Sequence, residues 1–409
     1  MSLPFSSTSN VDSAWRARAG SIIPGGASTG SKRPDALFGE DADACPTHFA
    51  SASGCRLITA GGAELVDCTM ALGAVALGYA DEAVTHAVVE AVAQGNVAGL
   101  SHMLEVEVAE RLCEVIPCAE QVRFLKSGAE GVAAAVRIAR THSGRDLVLG
   151  CGYFGWLDWY AGGPGVPESA HADFQAIPYD DVGALEEAVR IASDSLAAVV
   201  IEPVIERLPS IEWIAAARRL CDEVGAVLVF DEMKTGFRVR TGGYQEYAGI
   251  TPDIAVFGKA LANGFPLAAV VGRAAVMSAA NRAWISSTLA GESAALAAAS
   301  AVLDAHARGR VCDALWETGA VIRDSVERAI AESGVGGVSV RGIAPMWLID
   351  FADETRRSRF VEIAVSRGVL FKRGAYNYAC TAHDEDARAQ IQSAANEAFA
   401  ILGEEDRGE

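Results

Sequence analysis

Little in this 409-residue chain is basic: 34 lysines and arginines stand against 53 aspartates and glutamates, for a formal net charge of −19. A field of that sign repels phosphate backbones and anionic lipid surfaces, which sets aside nucleic-acid and membrane-surface binding. Long hydrophobic runs are missing too. Those present, such as Leu196 to Ile201, fall far short of the roughly 20 apolar residues that cross a bilayer. The stretch Met1 to Asn10 is polar, with no basic segment leading into an apolar core, so no secretory signal is expected. Cysteine patterning is absent as well. Cys45, Cys55, Cys68, Cys113, Cys118, Cys151, Cys221, Cys312 and Cys380 are odd in number and scattered. None forms a CxxC pair, and no histidine lies at zinc-finger spacing from two of them. No metal site is expected, and reduced, mostly buried thiols in a cytoplasmic protein are. Internal repeats and low-complexity tracts are lacking.

Apolar residues make up 51% of the chain, ample for a large core. Residues 1–60 read as a short helix around Val11–Arg18 followed by irregular chain, punctuated by Pro24-Gly25-Gly26. Gly61-Gly62 before Ala63–Asp67 reads as a hairpin. From residue 61 to 305, short apolar runs alternate with Ala-rich segments of helical period. The runs are Val122–Leu125, Leu147–Leu149, Ala197–Ile201, Ala226–Phe230, Ile254–Phe257 and Ala268–Val271. Runs this apolar suit strands covered on both faces, which predicts an α/β fold with a mainly parallel sheet. The predicted helices are Ala129–Arg140, Val182–Ala192, Ile211–Val224 and Gly291–Ala307, with Gly144 and Gly225 placed as stops. Residues 306–409 read as a smaller α+β domain: a helix to about Ser333, two or three short strands, and a last helix from Asp384 to Leu402.

Two charged residues sit where apolar runs end. Asp231 closes Val227-Leu-Val-Phe, and Lys259 follows Ile254-Ala-Val-Phe-Gly258. Both therefore belong at the carboxyl edge of the sheet, where open α/β sheets bind ligands. A carboxylate and a lysine there suit pyridoxal phosphate. The amine attacks the aldehyde, and the carboxylate keeps the pyridine nitrogen protonated so that the ring accepts electrons. The turn Ser127-Gly128-Ala129 between a strand and an Ala-rich helix offers an anion site at a helix N-terminus.

With these residues in view, the chain resembles the class III aminotransferases of fold type I, in the branch like glutamate-1-semialdehyde aminomutase that includes members from sugar and natural-product pathways. Matching segments run from Pro24-Gly25-Gly26 to Ala382-His383, nearly the whole chain. They include Phe124-Leu-Lys-Ser-Gly-Ala-Glu130, Glu202-Pro203-Val204, Phe230-Asp-Glu-Met-Lys-Thr-Gly-Phe-Arg238, Thr251-Pro-Asp253, Phe257-Gly-Lys-Ala260 and Ser287-Thr-Leu-Ala-Gly291. The resemblance implies Lys259 as the Schiff-base lysine and Asp231 as partner of the pyridine nitrogen. It implies Ser127, Gly128 and Ala129 at the phosphate, and Tyr153 stacked on the ring. Thr288 would reach the phosphate of a neighbouring subunit, which requires a homodimer, and Glu202 would lie near the substrate side. The expected activity moves an amino group from an amino acid, glutamate being the expected donor, to an aldehyde or ketone, with the cofactor alternating with pyridoxamine phosphate.

Departures from the family pattern fall around the substrate. Ala129 stands where Thr is common, Phe154 where His is frequent, Glu206-Arg207 where aminomutases tend to have Gly-Asn, and Glu292-Ser293 in place of Asn-Pro. Lys32 lies near where an arginine usually binds a carboxylate, and it lacks the bidentate fork. These changes favour a carbohydrate-like or other natural-product acceptor, with Glu202, Arg207, Trp156 and Lys32 as substrate contacts. Intramolecular amine transfer stays open. So does an NAD(P)-dependent oxidoreductase, because Gly150-Cys-Gly152-Tyr-Phe-Gly155 fits a dinucleotide fingerprint if a helix follows it. His102 with Glu105 is expected to be solvated rather than metal-binding, and His383 to start the last helix. Trp159 either lines a pocket or packs a loop. Lys372-Arg373 either binds an anion or faces solvent.

Overall fold

The computed structural model of the chain describes residues 9–39 and 45–408; most of the polar stretch Met1 to Asn10 lies outside the described residues. Contacts divide the chain into two units, one of residues 82–312 and one joining residues 1–81 to 313–409.

The first unit is built on a seven-stranded sheet of β1 (Gln121–Leu125), β2 (Leu147–Cys151), β3 (Phe174–Ala176), β4 (Leu196–Ile201), β5 (Val227–Asp231), β6 (Ile254–Phe257) and β7 (Ala268–Gly272). Their order is β1-β7-β6-β5-β4-β2-β3. β6, β5, β4, β2 and β3 run parallel, and β7 is antiparallel to both its neighbours. Every residue of β4, β5, β6 and β7 is buried, as strands covered on both faces require. Six helices of this unit are α1 (Glu82–Gln94), α2 (Met103–Val115), α3 (Gly128–Ser143), α4 (Val182–Ala192), α5 (Ile211–Val224) and α6 (Ser293–Arg308). Their ends follow local chemistry. Asp181 accepts the Ala184 N–H at 2.9 Å to cap α4, and Ser210 accepts the Trp213 N–H at 3.2 Å to cap α5. Gly144 and Gly225 close α3 and α5 in the left-handed region, with φ of 68° and 67°.

The second unit begins with the helix Ser9–Ile22. It holds a four-stranded sheet of Phe49–Ser53, Arg56–Thr59, Glu64–Asp67 and Val369–Leu370, with the hairpin turn at Gly61-Gly62. A three-stranded sheet joins Val338–Ile343, Met346–Phe351 and Asn377–Tyr378. The helices Glu354–Ser366 and Glu385–Arg407 bring Phe360 and Phe399 together with ring centroids 4.7 Å apart. Lys372 does not face solvent. It is buried, and its Nζ donates to the carbonyls of Ser31 at 2.9 Å and Ala36 at 3.3 Å, tying down the N-terminal segment. His383 is buried one residue before the Asp384 cap, accepting the Cys380 N–H at 3.1 Å. All nine cysteines are free. No described helix is long and apolar enough to cross a membrane.

Candidate active site

Strand register assembles the site. Parallel pairing sets Cys151 of β2 against Ile201 of β4, Ile201 against Phe230 of β5, and Asp231 against Val256 of β6. The residues that follow, Gly152, Glu202 and the Gly258-Lys259 turn, therefore meet Asp231 along one carboxyl edge. Asp231 and Glu202 are each only 4% exposed. The Met233 N–H donates to Asp231 Oδ1 at 3.0 Å, and the Tyr153 N–H donates to Glu202 Oε2 at 2.9 Å. Lys234 Nζ pairs with Glu202 Oε1. Burial pushes the Asp231 carboxyl above the usual carboxylate range, and the Glu202 charge adds to the effect. Burial likewise pulls the Lys259 amine below its ordinary value, followed by the Lys234 charge, while Asp231 and Glu202 oppose them. A buried amine of lowered proton affinity is a nucleophile and a proton carrier at neutral pH.

The backbone at the lysine turns on the lysine itself rather than on the glycine before it. Gly258 is extended, and Lys259 itself takes the left-handed conformation at φ 48°, a strained state for a residue with a side chain. Gly258 is needed for space instead. A Cβ there would lie 2.4 Å from Met233 Cε, and one on Gly128 would lie 2.8 Å from the same atom. Met233 thus fills the gap between the lysine turn and the start of α3.

Ser127 and Glu130 form a reciprocal capping box at that start. The Glu130 N–H donates to Ser127 Oγ at 3.3 Å, and Glu130 Oε2 accepts the Ser127 N–H at 2.9 Å. The N–H groups of Gly128 and Ala129 have no hydrogen-bond partner among the described residues, which leaves two donors and the helix dipole for an anion. The Gly152–Trp156 turn lies against them: a Cβ on Gly155, at φ 99°, would come 2.4 Å from Ala129 Cβ. Phe154 anchors this turn in an aromatic cluster with Tyr160 at 5.1 Å and Phe174 at 6.3 Å. Trp159 packs into the same cluster, so it serves the loop. Tyr153 and Trp156 are 70% and 73% exposed. No helix opens after Gly155; apart from a single 3-10 turn at Glu168–Ala170, the next is α4. The dinucleotide fingerprint therefore lacks the helix N-terminus that would hold a pyrophosphate.

The other candidate residues have the following surroundings. Thr288 is exposed on a turn that borders a cavity of about 410 Å³, lined also by the segment Gly95–His102 and by β1. Arg207 is engaged by Asp180, and its guanidinium lies 5.2 Å from the Tyr179 ring centre. Lys32 ends the exposed 3-10 turn Gly30–Lys32. Glu292 caps α6, accepting the Ala295 N–H at 3.1 Å, and pairs with Lys126 at 2.8 Å. His102 caps α2 through its Nδ1, accepting the Leu104 N–H at 3.1 Å. Among the described residues no His, Cys, Asp and Glu cluster could hold a metal ion. Lys234 and Met233 escape the sequence reading; their signal is a lysine three residues past a strand-end aspartate.

Known proteins resemble the chain over nearly its whole length. The family model described as aminotransferase class-III matches residues 38–149 and 165–380. The chain belongs to the class III aminotransferases. This aminotransferase is 33% identical to the glutamate-1-semialdehyde 2,1-aminomutase of Sorangium cellulosum (strain So ce56), over 94% of each chain. It is 29% identical to the 3-aminobutyryl-CoA aminotransferase of Cloacimonas acidaminovorans (strain Evry), over 93% of this chain and 94% of that protein. Among solved structures it superposes on the PLP internal aldimine form of the FumI protein of Sphingopyxis sp. MTA144 with a TM-score of 0.92. That match has 26% identity and covers 97% of this chain and 98% of that one. Its fold is accordingly that of fold type I transaminases. The family is an enzyme family that uses pyridoxal phosphate and takes small-molecule amino donors and acceptors. The groups at the sheet edge fit that cofactor: an amine for its aldehyde, a buried carboxylate for its ring nitrogen, and two unpaired N–H groups for its phosphate.

Proposed function

We propose that this aminotransferase moves an amino group from an amino acid, glutamate being the favoured donor, to the aldehyde or ketone of a carbohydrate-like or natural-product intermediate. The observation that carries the chemistry is the convergence of Lys259, Asp231 and Glu202 at one sheet edge beside the free N–H groups of α3. When bound, pyridoxal phosphate supplies an aldehyde that condenses with primary amines and a ring that accepts electrons. In this reading Lys259 is the amine that holds the cofactor. Its nitrogen, when not holding the cofactor, would take up a proton from the donor's α-carbon and give it up again, as base and then as acid. Asp231 would hold a proton on the ring nitrogen. Gly128 and Ala129 offer N–H donors to the phosphate, with Ser127 setting their geometry through its cap. Tyr153 would be the aromatic side chain against one face of the ring.

The substrate preference is supported by the exposed aromatic face of Trp156, which suits the apolar faces of sugars. Glu202 borders that side, and Arg207 and Lys32 are the further candidate contacts. Thr288 is assigned to the phosphate of a neighbouring subunit. Exposed Leu100 and Trp284, 87% and 83% accessible beside the segments that line the Thr288 cavity, support a homodimer. Sedimentation velocity should give about twice the 42.7 kDa chain mass; a monomer at every concentration would remove the role of Thr288.

The 33% identity to an aminomutase favours a second reading, in which the amine is moved within one molecule. A screen of donors and oxo acceptors, followed by the cofactor's absorbance, separates the two. The first reading expects no turnover until a donor is added. Rapid conversion of a single substrate with no donor present would establish the second.

A further inference from the structure

Four charged groups crowd one edge. Lys259 is faced by Asp231 from its neighbour strand, by Glu202 from the next strand, by Lys234 from the segment after β5, and by Arg238 further along that segment. α6, which packs on the turn after Lys259, contributes mostly alanines there, and its charged Asp304 and Arg308 are exposed. The second lysine has a defined place. The Lys234 and Glu202 side chains are only 15% and 6% exposed, and they pair with each other. The other carboxylate oxygen of Glu202 is held by the Tyr153 N–H at 2.9 Å. Space behind Glu202 is closed, since a Cβ on Gly152 would lie 2.4 Å from Glu202 Cβ. A buried ammonium on a long flexible stem is costly unless its position is imposed, and here the carboxylate imposes it.

We propose that Lys234, clamped by Glu202, is a positioning residue that governs the protonation of the Lys259 nitrogen. A fixed positive charge beside that nitrogen disfavours its protonated form, and the clamping carboxylate partly offsets this. The pair acts on Lys259 with opposite signs, so each partner has its own signature. Burial is the largest effect that lowers the proton affinity of Lys259; the Lys234 charge comes next, and the Arg238 charge adds a smaller contribution of the same sign.

The inference rests on Lys259 being the cofactor-bearing amine, and the two ideas are tested separately. Borohydride reduction of the holoprotein followed by peptide mass analysis asks whether Lys259 carries the cofactor. A pH titration of the holoprotein's visible absorbance then reports the protonation midpoint of the cofactor-linked nitrogen, with no turnover involved. Lys234→Met should raise the midpoint by about one pH unit or more. Lys234→Arg, which keeps the charge, should hold it within about 0.3 unit. Glu202→Gln should lower it. An unchanged midpoint in Lys234→Met, or an equal shift in Lys234→Arg, would overturn the proposal even with the cofactor found on Lys259. Should Lys234→Met fail to fold, Lys234→Gln, which keeps a polar head on the stem but no charge, decides: a higher midpoint supports the proposal, and an unchanged or lower one overturns it.

Discussion

At the scale of single residues, the site is a problem in burying charge. Asp231 and Lys259 are costly where they stand, because burial acts on both of them against ionisation. Function accounts for a charge pair that packing alone would not select. Asp231→Ala should leave the sheet intact, since β5 buries its other residues, and should lower kcat about a hundredfold or more. Steady-state kinetics on the loaded enzyme checks this; a rate within about tenfold of the parent contradicts the role assigned to the carboxylate. The positions of Asp231 and Lys259 were legible in the sequence because each is a charge that ends an unbroken apolar run. The Lys234–Glu202 pair was not legible. It depends on β4 lying beside β5, and their pairing follows from the tertiary order of strands rather than from spacing along the chain.

At the scale of elements, glycines set how closely turns approach the cofactor edge. The Gly152–Trp156 turn meets the start of α3 through Gly155 and Ala129, with no room for a methyl group between them. This gives the Ala129 departure a physical reason, since the bulk of a threonine would fall in the same crowded contact. Gly155→Ala should cost about 1–3 kcal/mol through strain and overpacking. It should also weaken pyridoxal phosphate binding by the apoprotein about tenfold or more, since the displaced turn borders the free N–H groups. Fluorescence titration measures this, and a parent-like Kd would show that the turn does not support the cradle. The same scale explains what was missed. Strands buried on both faces announce themselves as apolar runs, whereas edge strand β3 has only three residues, two of them exposed. The helix Glu354–Ser366 opens with Glu354, Arg356, Arg357 and Arg359, which hide its apolar period. The stops at Gly144 and Gly225 were readable because a left-handed cap has a residue preference of its own.

At the scale of the whole molecule, acidity and buried titratable groups shape the response to pH. His306 near the end of α6 has its Nδ1 3.0 Å from Thr241 Oγ1 and packs edge-on against Phe237 at 5.1 Å. Burial pulls its pKa from the ordinary 6.5 down to about 4. The unfolded chain therefore takes up this proton near pH 6.5 while the folded chain resists until about pH 4. The stabilisation is complete above about pH 6.5 and is lost as pH falls from there towards 4. Between pH 7 and pH 5, urea denaturation should show the parent losing on the order of 1 kcal/mol more than His306→Asn. Equal losses would mean that His306 titrates normally. The net charge of −19 adds no comparable specificity; it acts on solubility and on which partners approach.

The central claim is that Lys259, and no other amine, bears the cofactor. Lys234 is the natural competitor, a second buried lysine on the same edge. Borohydride reduction of the holoprotein, followed by digestion and mass analysis, should place the phosphopyridoxyl group on Lys259 alone. Finding that group on Lys234, or on no lysine at all, would contradict the account.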